Sequence, residues 1–271
     1  MRLHCFANIC PMHILQITDP HLYGNAGGNL RGVETDSSLR NVLDDAFSTH
    51  PSSPPCDYAA ILVTGDLVQD DPSGYLRFKS IFGGLRRPIL CIPGNHDEPD
   101  AMRCSLAEEP FQYCGTRTIG GWQFVMLDSY YPGHVGGRLT AGELSRLDET
   151  LSNSADHALV CLHHHPVSMG SRWLDGIGLA EPGDFWRIVD KHSHVRGIVW
   201  GHVHQEYEGT RNGVRLLGTP STCAQFLPKS DRYAVDTRPP AYRRFELLDD
   251  GRIDTEVRWV ESLAAQKAAA R

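Results

Sequence analysis

The stretch Ala59-Ala60-Ile61-Leu62-Val63-Thr64-Gly65-Asp66 decides the fold. Its apolar run, Ala59–Val63, reads as a buried strand, too short for a helix and rich in aliphatic residues. The run stops abruptly at Thr-Gly-Asp. In α/β sheets, ligands collect outside the carboxyl ends of the strands, where loops converge. A strand that delivers Gly-Asp to that edge therefore predicts both an architecture and a place for chemistry.

Working outward, the same arrangement recurs. Ile14–Ile17 runs into Thr18-Asp19-Pro20-His21, and Ile89–Ile92 into Pro93-Gly94-Asn95-His96-Asp97. Ala158–Leu162 runs into His163-His164-His165-Pro166, and Ile198–Trp200 into Gly201-His202-Val203-His204. Phe124–Leu127 is a further apolar strand. Helical patterns lie between these runs. Leu39, Val42, Leu43, Ala46 and Phe47 follow the spacing of one apolar helix face. Asp71-Pro72 forms an N-cap and first-turn pair for a helix burying Tyr75, Phe78 and Phe82, ended by Gly83 or Gly84. Thr140 and Glu143 form a capping box ahead of Leu144, Leu147 and Leu151. After Trp200 come the short strands Gly213–Leu217, Arg243–Leu248 and Arg252–Trp259, with Asp250-Gly251 as a hairpin turn. No linker or repeat divides the chain, which reads as one α/β domain over residues 12–260 with extensions at 1–11 and 261–271.

Composition narrows the function classes. The 271 residues are 41% hydrophobic and 22% charged, as in a soluble globular protein. A net charge of −7 argues against a nucleic-acid or anionic-membrane partner. It leaves room for an anionic small-molecule substrate if bound cations reverse the sign locally. No apolar run approaches the roughly 18 residues of a membrane span. Residues 1–12 are broken by His4, Asn8 and Pro11 and, lacking a continuous apolar run, do not read as a signal peptide. The eight cysteines include no CxxC pair, and Cys91, Cys161 and Cys223 sit in or near apolar runs. They read as the reduced thiols of a cytoplasmic protein. Oligomeric state is left open.

The polar residues at the strand ends suit one task. Asp, Asn and His are oxygen and imidazole donors matched to Fe, Mn or Zn, with no thiolate required. Two ions roughly 3.5–4 Å apart need a shared carboxylate and terminal ligands on each side. Asp19, His21, Asp66, Asn95, His202, His204 and one of the three consecutive histidines fill that count. Gly65, Gly94 and Gly201 each precede a candidate ligand and would allow close backbone approach. His192-Ser193-His194 has the same HxH spacing but precedes its strand, after a helical pattern holding Phe185, Ile188 and Val189. It reads as a pair of helix-end histidines. The acid pairs Asp44-Asp45 and Asp249-Asp250 read as solvated-face or turn residues.

The order DxH, GD, GNHD, HxP, GHxH is similar to that of the calcineurin-like metallophosphoesterase superfamily. Gln16-Ile17-Thr18-Asp19, Thr64-Gly65-Asp66-Leu67, Leu162-His163-His164-His165-Pro166, Trp173-Leu174-Asp175 and Thr219–Phe226 resemble the bacterial class III 3′,5′-cyclic-AMP phosphodiesterases, from about residue 12 to 260. The resemblance implies a four-layer α/β/β/α sandwich and two divalent ions, Fe²⁺ or Mn²⁺ foremost, with Zn²⁺ as an option. It places Asp19, His21, Asp66 and His204 on one ion, and Asp66, Asn95, His164 and His202 on the other. His164 is selected by the H-x-P pattern, leaving His163 and His165 as packing or supporting residues. His21, Asp66, Asn95, His96 and His204 would also meet the substrate phosphate, with Asp97 orienting a catalytic His96. The implied reaction is hydrolysis of cyclic AMP to 5′-AMP by a hydroxide held between the ions. A sister phosphoesterase acting on another diester or a nucleotide pyrophosphate would share the ligands. A Ser/Thr phosphatase would need an Asp-Arg-Gly ending that Gly65–Asp70 lacks, and a non-catalytic scaffold would lose ligands that are all present here.

Overall fold

The computed structural model describes residues 11–48 and 57–261, so expectations about the terminal extensions fall outside the described residues. Two six-stranded sheets lie face to face. In spatial order the first holds Ile253–Trp259, Ala241–Leu247, Met12–Ile17, Ala60–Thr64, Ile89–Ile92 and Phe111–Tyr113. The second holds Tyr207–Arg211, Val214–Gly218, Val195–Trp200, His157–Leu162, Trp122–Met126 and Gly115–Ile119. The central strands of both sheets pair in parallel; antiparallel strands close three of the four edges, and Phe111–Tyr113 closes the fourth in parallel.

Side-chain alternation explains the layering, since successive residues of a strand face opposite ways. Ala60 and Leu62, Leu90 and Ile92, Leu159 and Cys161 point between the sheets, where they meet Phe124, Met126 and Phe245. Their neighbours Ile61 and Val63, Ile89 and Cys91 point outward to Leu39, Val42 and Leu43 of helix Thr35–Phe47 and to Tyr75, Phe78 and Phe82 of helix Gly74–Phe82. On the far side, Ala158, Val160, Ile198 and Trp200 meet Leu147 and Leu151 of helix Ala141–Ser152 and Phe185, Trp186 and Val189 of helix Pro182–Val189. The result is the expected α/β/β/α sandwich. No described helix is long and apolar enough to cross a membrane.

Local signals hold with small corrections. Thr140 caps its helix by accepting from the Glu143 amide, but the Glu143 carboxylate turns to Arg146 instead of closing the box. The α-hydrogen-bonded helix opens at Gly74, not directly after Asp71. The Gly74 and Tyr75 amides reach back only to Asp71 and Pro72, a tighter first turn, while Asp71 still accepts from the Ser73 amide at 3.1 Å. The edge strands Gly115–Ile119 and Tyr207–Arg211 lack apolar runs and escaped the sequence reading. A polar seam joins the sheets just below the strand ends. Gln16 donates to Thr64 Oγ1 at 2.9 Å and accepts from Thr219 Oγ1 at 2.5 Å. Fully buried Arg243 donates to the Gly218 carbonyl and to Glu208.

Candidate metal centre

The loops leaving the parallel strands meet across the two sheets. The Asp19, His21 and Leu22 amides donate to the carbonyls of Gly65, Asp66 and Leu67, zipping the first two loops together. Gly94 and Gly201 show why these turns cannot carry a side chain. A Cβ on Gly94 would lie 2.1 Å from Asp66 Oδ1, and one on Gly201 would lie 2.1 Å from Thr18 Oγ1. Asp19, His21, Asp66, His202 and His204 all adopt left-handed backbone, with φ between 46° and 66°. Such conformations cost on the order of 1–3 kcal/mol each in a non-glycine residue and mark sites where geometry is imposed. Segment Thr219–Gln225 braces the loops from behind, through Ser221 Oγ to the Asp19 carbonyl at 2.7 Å and the Thr222 amide to the Thr18 carbonyl at 3.1 Å.

The side chains these loops present converge. His204 Nε2 stands 3.2 Å from Asp19 Oδ1 and 3.2 Å from His21 Nε2, while its Nδ1 faces the Ala224 carbonyl at 2.6 Å. His21 Nε2 lies 3.8 Å from Asp66 Oδ2, and His163 Nε2 lies 3.4 Å from the same oxygen. Asp66 is thus flanked by imidazoles from both sheets. Convergent donor groups form around Asp19–His21–His204, Asp19–Asp66–His163 and His163–His164–His202. Asn95 Oδ1, His163 Nε2 and His21 Nδ1 are buried without hydrogen-bond partners. Among the described residues only histidines stand within ion-pair distance of the buried carboxylates of Asp19 and Asp66. Two anions buried without a permanent cation, beside orphaned donor atoms, are costly as they stand and fit bound cations.

The electrostatics agree. Burial alone would raise the Asp66 carboxyl, but His163 outweighs it and holds Asp66 well below its ordinary range. Burial likewise opposes the charge on His163, and the facing carboxylates of Asp66 and Asp19 overcome it, carrying the imidazole to about 9. Burial depresses His21 to about 4 and drives His202 far down. His202 spends Nε2 on the Ile177 carbonyl at 3.0 Å, so Nδ1 is the nitrogen it can offer.

Two expected site residues hold hydrogen bonds that their expected roles did not include. The H-x-P pattern selected His164, yet both its ring nitrogens are engaged, with Ser129 Oγ at 2.8 Å and the Val135 carbonyl at 3.2 Å. His163 instead fixes Nδ1 on the Thr64 carbonyl at 2.7 Å and turns its unpartnered Nε2 to Asp66. His165 packs over the His202 ring. Asp97 was expected to orient His96. Its carboxylate accepts from the amides of Leu67, Val68 and Gly94 and from the Tyr75 hydroxyl, clamping the Gly-Asp and Gly-Asn turns together. Burial and the Asp66 charge push Asp97 up to about 7. His96 is oriented by Asp70, 3.0 Å from Nδ1, and by Gln69 at 2.9 Å. The His96 amide donates to Asp66 Oδ1 at 2.8 Å, tying this pair to the centre. Asp70 sits four residues after Asp66 in the same loop. Nothing in the sequence marked it off from Asp71 beside it.

A cavity of about 180 Å³ opens over the centre, lined by His21, Asp66, Asn95, His96, His202 and His204 on its floor. His192 and His194 take no part. His192 Nε2 pairs with Asp148 at 3.2 Å, at the opposite end of the strand Val195–Trp200.

The profile of the calcineurin-like phosphoesterase family matches residues 12–206, and the chain belongs to that family. Among curated relatives it is 35% identical to the Pseudomonas aeruginosa 3′,5′-cyclic adenosine monophosphate phosphodiesterase CpdA, across 92% of this chain and 90% of that one. It is 38% identical to the Escherichia coli K12 protein of the same name, across 91% and 89%. Among solved structures, a dimetal phosphatase from Danio rerio superposes with a TM-score of 0.60 at 16% identity, covering 93% of this chain and all of the other. That likeness bears on the fold alone.

Proposed function

We propose that this chain hydrolyses 3′,5′-cyclic AMP to 5′-AMP at a centre of two divalent ions. One observation carries the reading: Asp66 lies between imidazoles of both sheets and faces the unpartnered His163 Nε2. Asp19, His21, Asp66 and His204 would hold one ion, and Asp66, Asn95, His163 and His202 the other. When bound, such a pair clamps phosphate oxygens and lowers the pKa of water towards neutrality. Water adds to phosphorus, the bond from phosphorus to the 3′-oxygen breaks, and that oxygen takes up a proton. His96 lines the cavity and is held by Asp70, which suits it to deliver that proton or to steady the charge developing on phosphate. The cyclic-nucleotide substrate follows from the identity to the two named phosphodiesterases over nearly the whole chain. A cytoplasmic setting is part of the proposal, supported by free thiols at Cys91, Cys104, Cys114, Cys161 and Cys223.

The test is a substrate panel with Mn²⁺ or Fe²⁺ added, comparing cyclic AMP, cyclic GMP, 2′,3′-cyclic AMP, an aryl diester and a nucleotide pyrophosphate. The expected result is the highest kcat/KM for cyclic AMP, with 5′-AMP as product. A preference for the pyrophosphate or for 2′,3′-cyclic AMP would assign the chain to another reaction of the family.

A further inference from the structure

One wall of the cavity has no role in holding metal or moving a proton. Phe226 stacks on the His204 ring, with centroids 4.1 Å apart and planes at 10°. From there the aromatic surface continues outward. Trp173 lies edge-on to Phe226 at 5.2 Å and to Tyr233 at 5.3 Å, and Phe226 to Tyr233 at 5.4 Å. The Arg31 guanidinium covers the Tyr233 ring at 5.1 Å. All four residues line the same cavity as His21 and Asp66.

Two small hairpins outside the main sheets present Phe226, Tyr233 and Arg31, and the short helix Arg172–Asp175 presents Trp173. Phe226 belongs to the pair Gln225–Phe226 and Val235–Asp236, and Tyr233 lies in the connection between them. Arg31 occupies the turn between Asn29–Leu30 and Val33–Glu34, where Arg31 and Gly32 both have positive φ, as a tight hairpin turn requires. The wall is also unsatisfied. Tyr233 is 43% exposed, the Trp173 indole N–H is buried without a partner, and Arg31 makes no ion pair among the described residues. A site for a bare phosphodiester has no use for such a surface. A nucleotide does, because it couples a polar phosphate to a flat aromatic base.

We infer that Trp173, Phe226 and Tyr233, with Arg31 laid over Tyr233, form a nucleobase subsite that grips the base of a nucleotide whose phosphate sits at the centre. The inference rests on the phosphodiesterase reading for the position of the phosphate. Stacking against aromatic side chains tolerates every base, since each has a π-face. The wall therefore selects a nucleotide over a base-free phosphate much more than adenine over guanine, and favours purines through their larger contact area.

The experiment follows hydrolysis of a methyl aryl phosphate diester with Mn²⁺ added and measures inhibition by 5′-AMP and by ribose 5-phosphate. The ratio of the two inhibition constants isolates the base. In the wild type 5′-AMP should bind at least about 5-fold more tightly, the lower end of what one stacked base supplies. Tyr233→Ala should remove most of that advantage, Arg31→Ala should reduce it, and Tyr233→Phe should keep it. Ribose 5-phosphate inhibition in each variant reports that the centre is still assembled. Equal inhibition by both compounds in the wild type, or an unchanged ratio in Tyr233→Ala, overturns the subsite. A wild type that ignores cyclic AMP while still preferring 5′-AMP would discard the proposed substrate and keep the subsite.

Discussion

Two His-x-His sequences flank a single strand, and they share nothing but their spacing. His192 and His194 precede Val195–Trp200, while His202 and His204 follow it. The first pair is half-buried, with His192 on Asp148 of a neighbouring helix. The second pair is buried, held in left-handed backbone, and faces donors contributed by both sheets. The difference lies in strand direction. Loops from several parallel strands crowd the carboxyl edge, whereas at the amino end His192 meets a helix. Position relative to a strand, more than residue type, decides which histidines converge with other metal-competent side chains.

The largest effect should come from the residue that both halves of the centre share. Asp66→Ala should cost both ions and lower turnover beyond the roughly 10²–10³-fold supplied by a single transition-state donor. Metal analysis and cyclic AMP kinetics read it out. Two equivalents of metal retained, with activity above a few per cent, would break the shared-carboxylate account.

Next come the histidines themselves. His202→Ala, His204→Ala and His163→Ala should each lose metal and cost more than the 10–100-fold typical of outer-shell partners. His192→Ala and His194→Ala should stay within about 2-fold, as substitutions away from a site do. His164→Ala should keep its metal. Similar metal loss from both His-x-His pairs would contradict the comparison at its root.

Chemistry separates from binding at His96. His96→Ala should retain both ions and lose roughly 10²–10⁴-fold on cyclic AMP, with a smaller loss on an aryl diester whose phenolate leaves unprotonated. Asp70→Asn should move turnover in the same direction by less, through the loosened imidazole. An Asp70→Asn enzyme with wild-type kcat would show that the Asp70–His96 pair does not orient the ring.

The smallest effect concerns stability at the inactive end of the strand. Burial, then the nearby His192, Arg196 and His157, lower the His194 pKa from 6.5. Below pH 6.5 the unfolded chain therefore binds more protons there than the folded one, and stability falls as pH falls. His194→Gln should flatten this part of the urea-midpoint profile. A steeper profile in the variant would reverse the sign of the argument.

Much of this was legible in the sequence, for a physical reason. Strands buried on both faces must be continuous apolar runs, so their ends stand out, and the residues after them form the candidate site. Asp19, His21, Asp66, Asn95, His202 and His204 were placed that way, and the structure brings them together. What escaped depends on side-chain direction. His163 and His164 are adjacent and identical, and their rings are set apart by distant partners, the Thr64 carbonyl for the first and Ser129 Oγ with the Val135 carbonyl for the second. The segment bends there instead of continuing its strand, so alternation could not choose between them. Asp70, to which the sequence reading gave no role, stands beside His96 where Asp97 was expected, because each carboxylate reaches its partner through folded loops. The aromatic wall is built from residues as far apart as Arg31 and Tyr233, and no local pattern links them.

The most direct measurement is anomalous diffraction from crystals soaked in Mn²⁺. The account predicts two peaks, both within bonding distance of Asp66. One should lie against Asp19, His21 and His204, the other against Asn95, His163 and His202. A single peak, a peak bonded to His164 in place of His163, or metal at His192–His194 with none at Asp66 would contradict it.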